Sequence, residues 1–278
     1  MTGRPDPQMR LDHLGLVARQ LEPLLSGAVG LGFQPTRPEE LMAAGPTGPV
    51  PLEQSSAHLV FGNTYVELTA VRSHSPAHHL APWLARREGL LILAFGTEDL
   101  AEARRRSLEA GYSPGPVAGA SRRVTYGLRA GEARFEWFML DSESTPEALV
   151  CFVRHLTPEV VFQSEVQQHP NGARDIEGVV LVTDQPLTLA GRYAGLTGGQ
   201  LTGSEREARV VLESGWLEFR SPESWAALTG HAPAFGGPGL AGFSVLADRE
   251  GVDQAGLPCR IEFAAQRREF ARCYPSHP

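Results

Sequence analysis

Four times along the chain a glutamate stands alone between two large apolar residues: Val66-Glu67-Leu68, Phe135-Glu136-Trp137, Leu217-Glu218-Phe219 and Ile261-Glu262-Phe263. Successive side chains of a strand point to opposite faces, so each glutamate leaves the face on which its neighbours are buried. One such strand would constrain little. Four of them, each ending a similar stretch, define an internal repeat, which restricts the architecture before any other reading.

The openings of the units repeat too. Leu11-Asp12-His13-Leu14-Gly15-Leu16-Val17, Leu90 to Phe95, Ile176 to Leu181 and Leu240 to Val245 all read as apolar strands. A polar residue follows each, then a segment of helical spacing such as Leu21, Leu24 and Leu25, or Leu100, Ala103, Ser107 and Leu108. Glycines mark the expected helix ends at Gly32, Gly111, Gly195 and Gly256. Two or three strands follow, the clearest being a hairpin from Val124 to Met139 turning at Ala130-Gly131-Glu132. The expected fold is α+β, with three full βαβββ units and a shortened fourth. The Gly/Pro-rich stretches Ala44–Pro51 and Ala232–Gly239 read as loops, and a break near Ser164–Asn171 divides the chain into residues 1–163 and 164–278.

This pattern resembles the vicinal oxygen chelate superfamily over nearly the whole chain. Leu11-Asp12-His13-Leu14, Asn63 to Leu68 and His169-Pro170-Asn171-Gly172-Ala173 are similar to its glyoxalase-like domain proteins. The resemblance implies paired units that curl mixed sheets into two half-barrel domains with helices outside. It also implies metal ligands from the first and last strands of each unit, here His13, Glu67 and Glu136, facing Ile92 at the fourth position. Histidine with carboxylates suits a divalent ion such as Zn, Mn, Fe, Ni or Co. Such an ion would polarise vicinal oxygens of a small substrate while Glu67 or Glu136 moves a proton, the chemistry of a lyase or isomerase. Isoleucine at position 92 cannot coordinate, which keeps open the alternative of a metal-free binding or sequestering protein of the bleomycin-resistance type.

Further residues are expected to line the cup: His58 on an alternating strand, Arg122 at the hairpin start, Phe138 beside Glu136, and His169 in the turn-rich break. The cluster His74, His78 and His79 lacks regular ligand spacing and reads as a solvated loop. In the second half Glu177, Glu218, Ala241 and Glu262 hold the equivalent positions, without histidine, and Arg220 and Arg260 are the expected partners of Glu218 and Glu262.

Composition narrows the function classes. Net charge is −7, with no long basic tract, which argues against nucleic acid as partner. Every basic residue is arginine, which removes Schiff-base catalysis, pyridoxal phosphate and a nucleotide phosphate loop that needs lysine. No apolar run reaches the ~20 residues of a membrane span, and the first residues have no signal-peptide core. Three scattered cysteines, Cys151, Cys259 and Cys273, favour a reduced, cytoplasmic protein. Whether the units pair within one chain or across a homodimer is open at this point.

Overall fold

A computed structural model describes residues 9–45, 47–253 and 257–268. Unit one comprises β1 (Arg10–Ala18), α1 (Glu22–Gly30), β2 (Glu39–Gly45), β3 (Gly48–Val60) and β4 (Tyr65–Val71). The short helix α2 (Ala81–Leu84) leads into unit two: β5 (Gly89–Gly96), α3 (Leu100–Glu109), β6 (Ala118–Val124), β7 (Gly131–Met139) and β8 (Leu149–His155). After α4 (Pro158–Val161), unit three runs through β9 (Asp175–Val182), α5 (Pro186–Thr197), β10 (Gln200–Gly203), β11 (Glu207–Val211) and β12 (Trp216–Arg220). Helix α6 (Pro222–Thr229) precedes the shortened fourth unit, β13 (Gly239–Leu246), β14 (Gly251–Asp253) and β15 (Arg260–Ala264).

Units one and two pair within one chain. The opening strands β1 and β5 lie antiparallel, and each also takes the last strand of its own unit as a parallel neighbour, β4 and β8 respectively. The far hairpins meet through β2 and β6, so the sheet closes as an eight-stranded barrel in the order β1-β4-β3-β2-β6-β7-β8-β5. Closure leaves no unpaired sheet edge. The second half stays open, a seven-stranded sheet in the order β10-β11-β12-β9-β13-β15-β14.

The units differ from the sequence expectation in four places. The β6–β7 hairpin turns over residues 125–130, so Gly131 and Glu132 already lie in β7 and not in the turn. Glu136 lies on β7, the third strand of its unit, and β8 closes that unit instead. Helix α5 runs past Gly195 to Thr197 and stops at Gly198, whose φ of 71° is the left-handed turn that glycine takes without strain. The Gly/Pro-rich stretch after Ala44 belongs to the β2–β3 ribbon rather than a free loop. The expected fourth helix end at Gly256 lies outside the described residues, as does Cys273.

Alternation sorts the β1 side chains. Leu14 and Leu16 join a continuous hydrophobic layer that includes α1, α3 and α5 and runs on into Val179, Leu217, Phe243 and Phe263 of the open sheet. His13, Gly15 and Val17 face the barrel interior. One polar contact is sealed in that layer: the fully buried Tyr193 hydroxyl of α5 donates to Glu147 Oε1 at 2.7 Å, in the segment before β8. Burial pushes the Glu147 carboxyl up, with the tyrosine hydrogen bond opposing. No helix among the described residues is long and apolar enough to cross a membrane.

Removing that hydroxyl leaves a buried carboxyl short of its donor, which typically costs about 1–3 kcal/mol. Tyr193→Phe is expected to lower the unfolding free energy by that amount in urea titration. A change below about 0.5 kcal/mol would mean that the contact does not tie α5 to the barrel.

Candidate functional site

The barrel interior holds a cavity of about 330 Å³, within the size range of small-molecule sites. Its walls include His13, Gln54, His58, Tyr65, Glu67, Ile92, Arg122, Phe135, Trp137 and Cys151.

A bulge in β1 builds the first wall. Leu11 pairs with Phe95 and His13 with Ala94, so Asp12 is the extra residue, and its buried carboxylate turns beside His13. Asp12 Oδ1 meets His13 Nδ1 at 2.7 Å and His155 Nε2 at 3.2 Å. Burial alone would raise the Asp12 carboxyl, but the two histidines hold it below the usual carboxylate range. The Asp12 contact takes up His13 Nδ1, which leaves Nε2 as the free ring nitrogen. The Tyr65 ring stacks on the His13 imidazole at 4.4 Å.

Glu67 is buried on β4 beside that wall. Ser56 donates to its Oε1 at 2.5 Å and Gln54 at 3.3 Å. Glu67 has no ion pair among the described residues, in keeping with its sequence context. Buried His58 comes from β3, its imidazole pushed well down by burial and by the nearby Arg122 and His13, so it is neutral near neutral pH. Arg122 is buried on β6, donates through Nη2 to the Tyr126 hydroxyl at 3.0 Å, and leaves Nη1 without a partner. Arg123 is exposed.

Three expected site residues, Glu136, Phe138 and His169, lie elsewhere. Glu136 is opposite Arg154 in the β7–β8 ladder and forms a 2.5 Å ion pair with it, half-exposed. The register puts Trp137 and Phe135 on the cup side, so Glu136 and Phe138 face outward. Phe138 stacks on Phe152 at 4.9 Å within the hydrophobic layer. The counterpart of Glu67 in unit two is Cys151: Gly15 pairs with Glu67 in the first unit, and Ala94 pairs with Cys151 in the second. By the same relation Ile92 is the counterpart of His13.

His169 is a joint rather than part of the cup wall. Its Nδ1 accepts from the Gln34 amide and its Nε2 donates to the Val60 carbonyl, both at 3.0 Å, while Phe33 and Phe61 pack against the ring. Asn171 continues this seam by donating to the Leu31 carbonyl. The histidine loop also differs from expectation. His78 is buried, and half-buried His79 lines the cup edge-on to Trp137, its imidazole pushed down to about 4 by burial and by His78. Tyr65 shares the strand face of Glu67, as alternation expects, whereas Gln54 and the inward Trp137 were not expected in the cup. Alternation from His58 would have put Gln54 on the cup face.

In the open sheet, by contrast, Arg209 and Arg220 both grip Glu218, and Arg268 with the more distant Arg260 attends Glu262. The expected ion pairing therefore accounts for the acidic strands there.

The residues of the cup do not fit a three-ligand metal centre. Among the described residues no three His, Cys, Asp or Glu side chains are arranged to hold an ion. Across the seam Ile92 packs on Gly15, where a Cβ would lie 2.4 Å from Ile92 Cδ1 and 2.7 Å from its Cβ, and its aliphatic side chain offers no donor atom. Gly15 is two residues from His13 on one face and pairs directly with Glu67, so the isoleucine sits over the position next to both donors. Cys151 is buried, and burial, then Asp12 and Glu67, push its thiol up.

With this geometry in place, comparison decides the family. The glyoxalase-like domain model matches residues 11–197. The chain belongs to the glyoxalase-like domain family. A hypothetical protein from Staphylococcus aureus superposes with a TM-score of 0.68 at 8% identity, covering 92% of this chain and 99% of that one. A substituted 4-hydroxymandelate synthase from Streptomyces coelicolor gives 0.53 at 15% identity, covering 88% and 72%. A fusion of a xylose isomerase-like TIM barrel with 4-hydroxyphenylpyruvate dioxygenase gives 0.52 at 16%, covering 88% and 38%. Likeness at such identities establishes the vicinal oxygen chelate fold alone. No curated protein matches the chain in sequence.

Two outcomes follow for stability. His58, His79 and His169 all bind protons less readily folded than unfolded, where the ordinary value is about 6.5. The unfolded chain therefore takes up more protons as pH falls, and stability is expected to decline from about pH 7 towards about pH 4. Urea midpoints that stay level across that window would contradict the buried, neutral histidines. His169→Ala strands the buried Val60 carbonyl and frees the more exposed Gln34 amide, and is expected to cost about 1–3 kcal/mol. A small effect in the same titration would remove its role as a joint.

Proposed function

We propose that the barrel of this glyoxalase-like protein binds a small organic molecule directly through its side chains, without a divalent metal, as a binding or sequestering protein. The observation that carries this reading is the asymmetry of the paired units: Ile92, which offers no donor atom, stands at the position matching His13, and Cys151 at the position matching Glu67. Metal-assisted lyase or isomerase chemistry would keep His13 and Glu67. It would lack a third donor, since Ile92 and Cys151 hold the symmetry-related positions and Glu136 pairs with Arg154 on the outer face.

The remaining lining supports direct binding. Phe135, Trp137, Ile92, Leu149 and Val153 supply apolar wall. Arg122, His58, Glu67 and His13 supply a few convergent polar groups, the composition common to small-molecule pockets.

Thermal melting provides the test. Mn, Ni, Zn, Co and chelators are expected to leave the melting temperature of protein purified without chelator unchanged. An apolar ligand small enough for the cavity should raise it through preferential binding to the folded state. A stoichiometric divalent ion that co-purifies with the protein and is lost in His13→Ala would overturn the proposal.

A further inference from the structure

The cup is polarised across its width, and this polarity specifies the ligand. In the closed strand order β6 stands four strands from β1 in either direction, so Arg122 and His13 occupy opposite walls. Arg122 is 6% exposed, has one hydrogen bond to a neutral hydroxyl, keeps Nη1 unpartnered, and has no ion pair among the described residues. A guanidinium removed from water without an anion is unfavourable, and it matches a carboxylate in a two-point grip.

The opposite wall has the reverse character. His13 spends Nδ1 on Asp12, which leaves Nε2 as its free ring nitrogen. Both donors to Glu67 go to Oε1, leaving Oε2 to accept. Between the walls lie Trp137, Phe135 and Ile92, which suit a flat apolar body.

Building on direct binding in the cup, we infer that the ligand is an organic carboxylate with an aromatic body, its anionic end on Arg122 and a hydroxyl at its far end donated to His13 or Glu67. The carboxylate neutralises the buried guanidinium, and the hydroxyl supplies the hydrogen that the acceptor wall lacks.

Calorimetric titration of the full chain with para-hydroxyphenylpropionate, its primary amide, phenylpropionate and para-cresol tests this. The hydroxylated acid is expected to bind at least about tenfold tighter than its amide, and phenylpropionate several-fold weaker than the hydroxylated acid. Arg122→Gln should erase the preference for acid over amide. It should also melt no lower than wild type without ligand, because an unpaired buried charge is gone. The wild-type series stands even if that variant folds poorly. If cresol binds but the acid binds no tighter than the amide, the ligand class is overturned while direct binding survives. If the preference persists in folded Arg122→Gln, the role of Arg122 is overturned. If none of the four compounds binds, both the ligand class and direct binding fail.

Discussion

The antiparallel seam between β1 and β5, with Ile92 seated on Gly15, is the constraint on which the rest depends. It joins two units that individually expose unpaired sheet edges, and it fixes which residues share the interior. Only glycine permits the approach, since any Cβ at position 15 would overlap the isoleucine. The same contact puts an aliphatic side chain without a donor atom on the wall of the cavity that His13 and Glu67 also line. A glyoxalase-like scaffold built on two quasi-equivalent units has here become asymmetric, with polar groups in one unit and aliphatic or thiol groups at the matching positions of the other.

Asymmetry also separates the two halves of the chain. The open sheet carries its acidic strands as ion pairs with arginines, so its charges are satisfied internally. The barrel leaves Arg122 and Glu67 without charged partners among the described residues, each held only by neutral groups. Buried charges that lack a counter-ion are costly to a fold. Their persistence on facing regions of one cavity is what gives the cup its directional character.

Much of this was legible in the chain. The repeat, the helix-ending glycines and the alternation of β1, β3 and β4 put His13, His58 and Glu67 on one surface, because local periodicity alone decides facing within a strand. The place of Glu136 was not legible, since the third and fourth strands of unit two are both amphipathic or apolar runs. Which of them lies beside β5 is settled by pairing, not by local pattern. With that strand misplaced, Phe138 took the inward phase that belongs to Trp137. His169 shared turn chemistry with a pocket-lining loop, but its two ring nitrogens are spent on backbone groups of unit one. The bulge at Asp12 was likewise invisible, because a one-residue register shift leaves no mark in an apolar run.

The central claim is that the cup, with Ile92 at the position matching His13, binds its ligand without a divalent ion between His13 and Glu67. Anomalous diffraction from crystals grown with excess cobalt tests it most directly. The account predicts no anomalous peak within bonding distance of His13 Nε2 and the Glu67 carboxylate, with the isoleucine side chain resting on Gly15. A strong peak bonded to both side chains would contradict it.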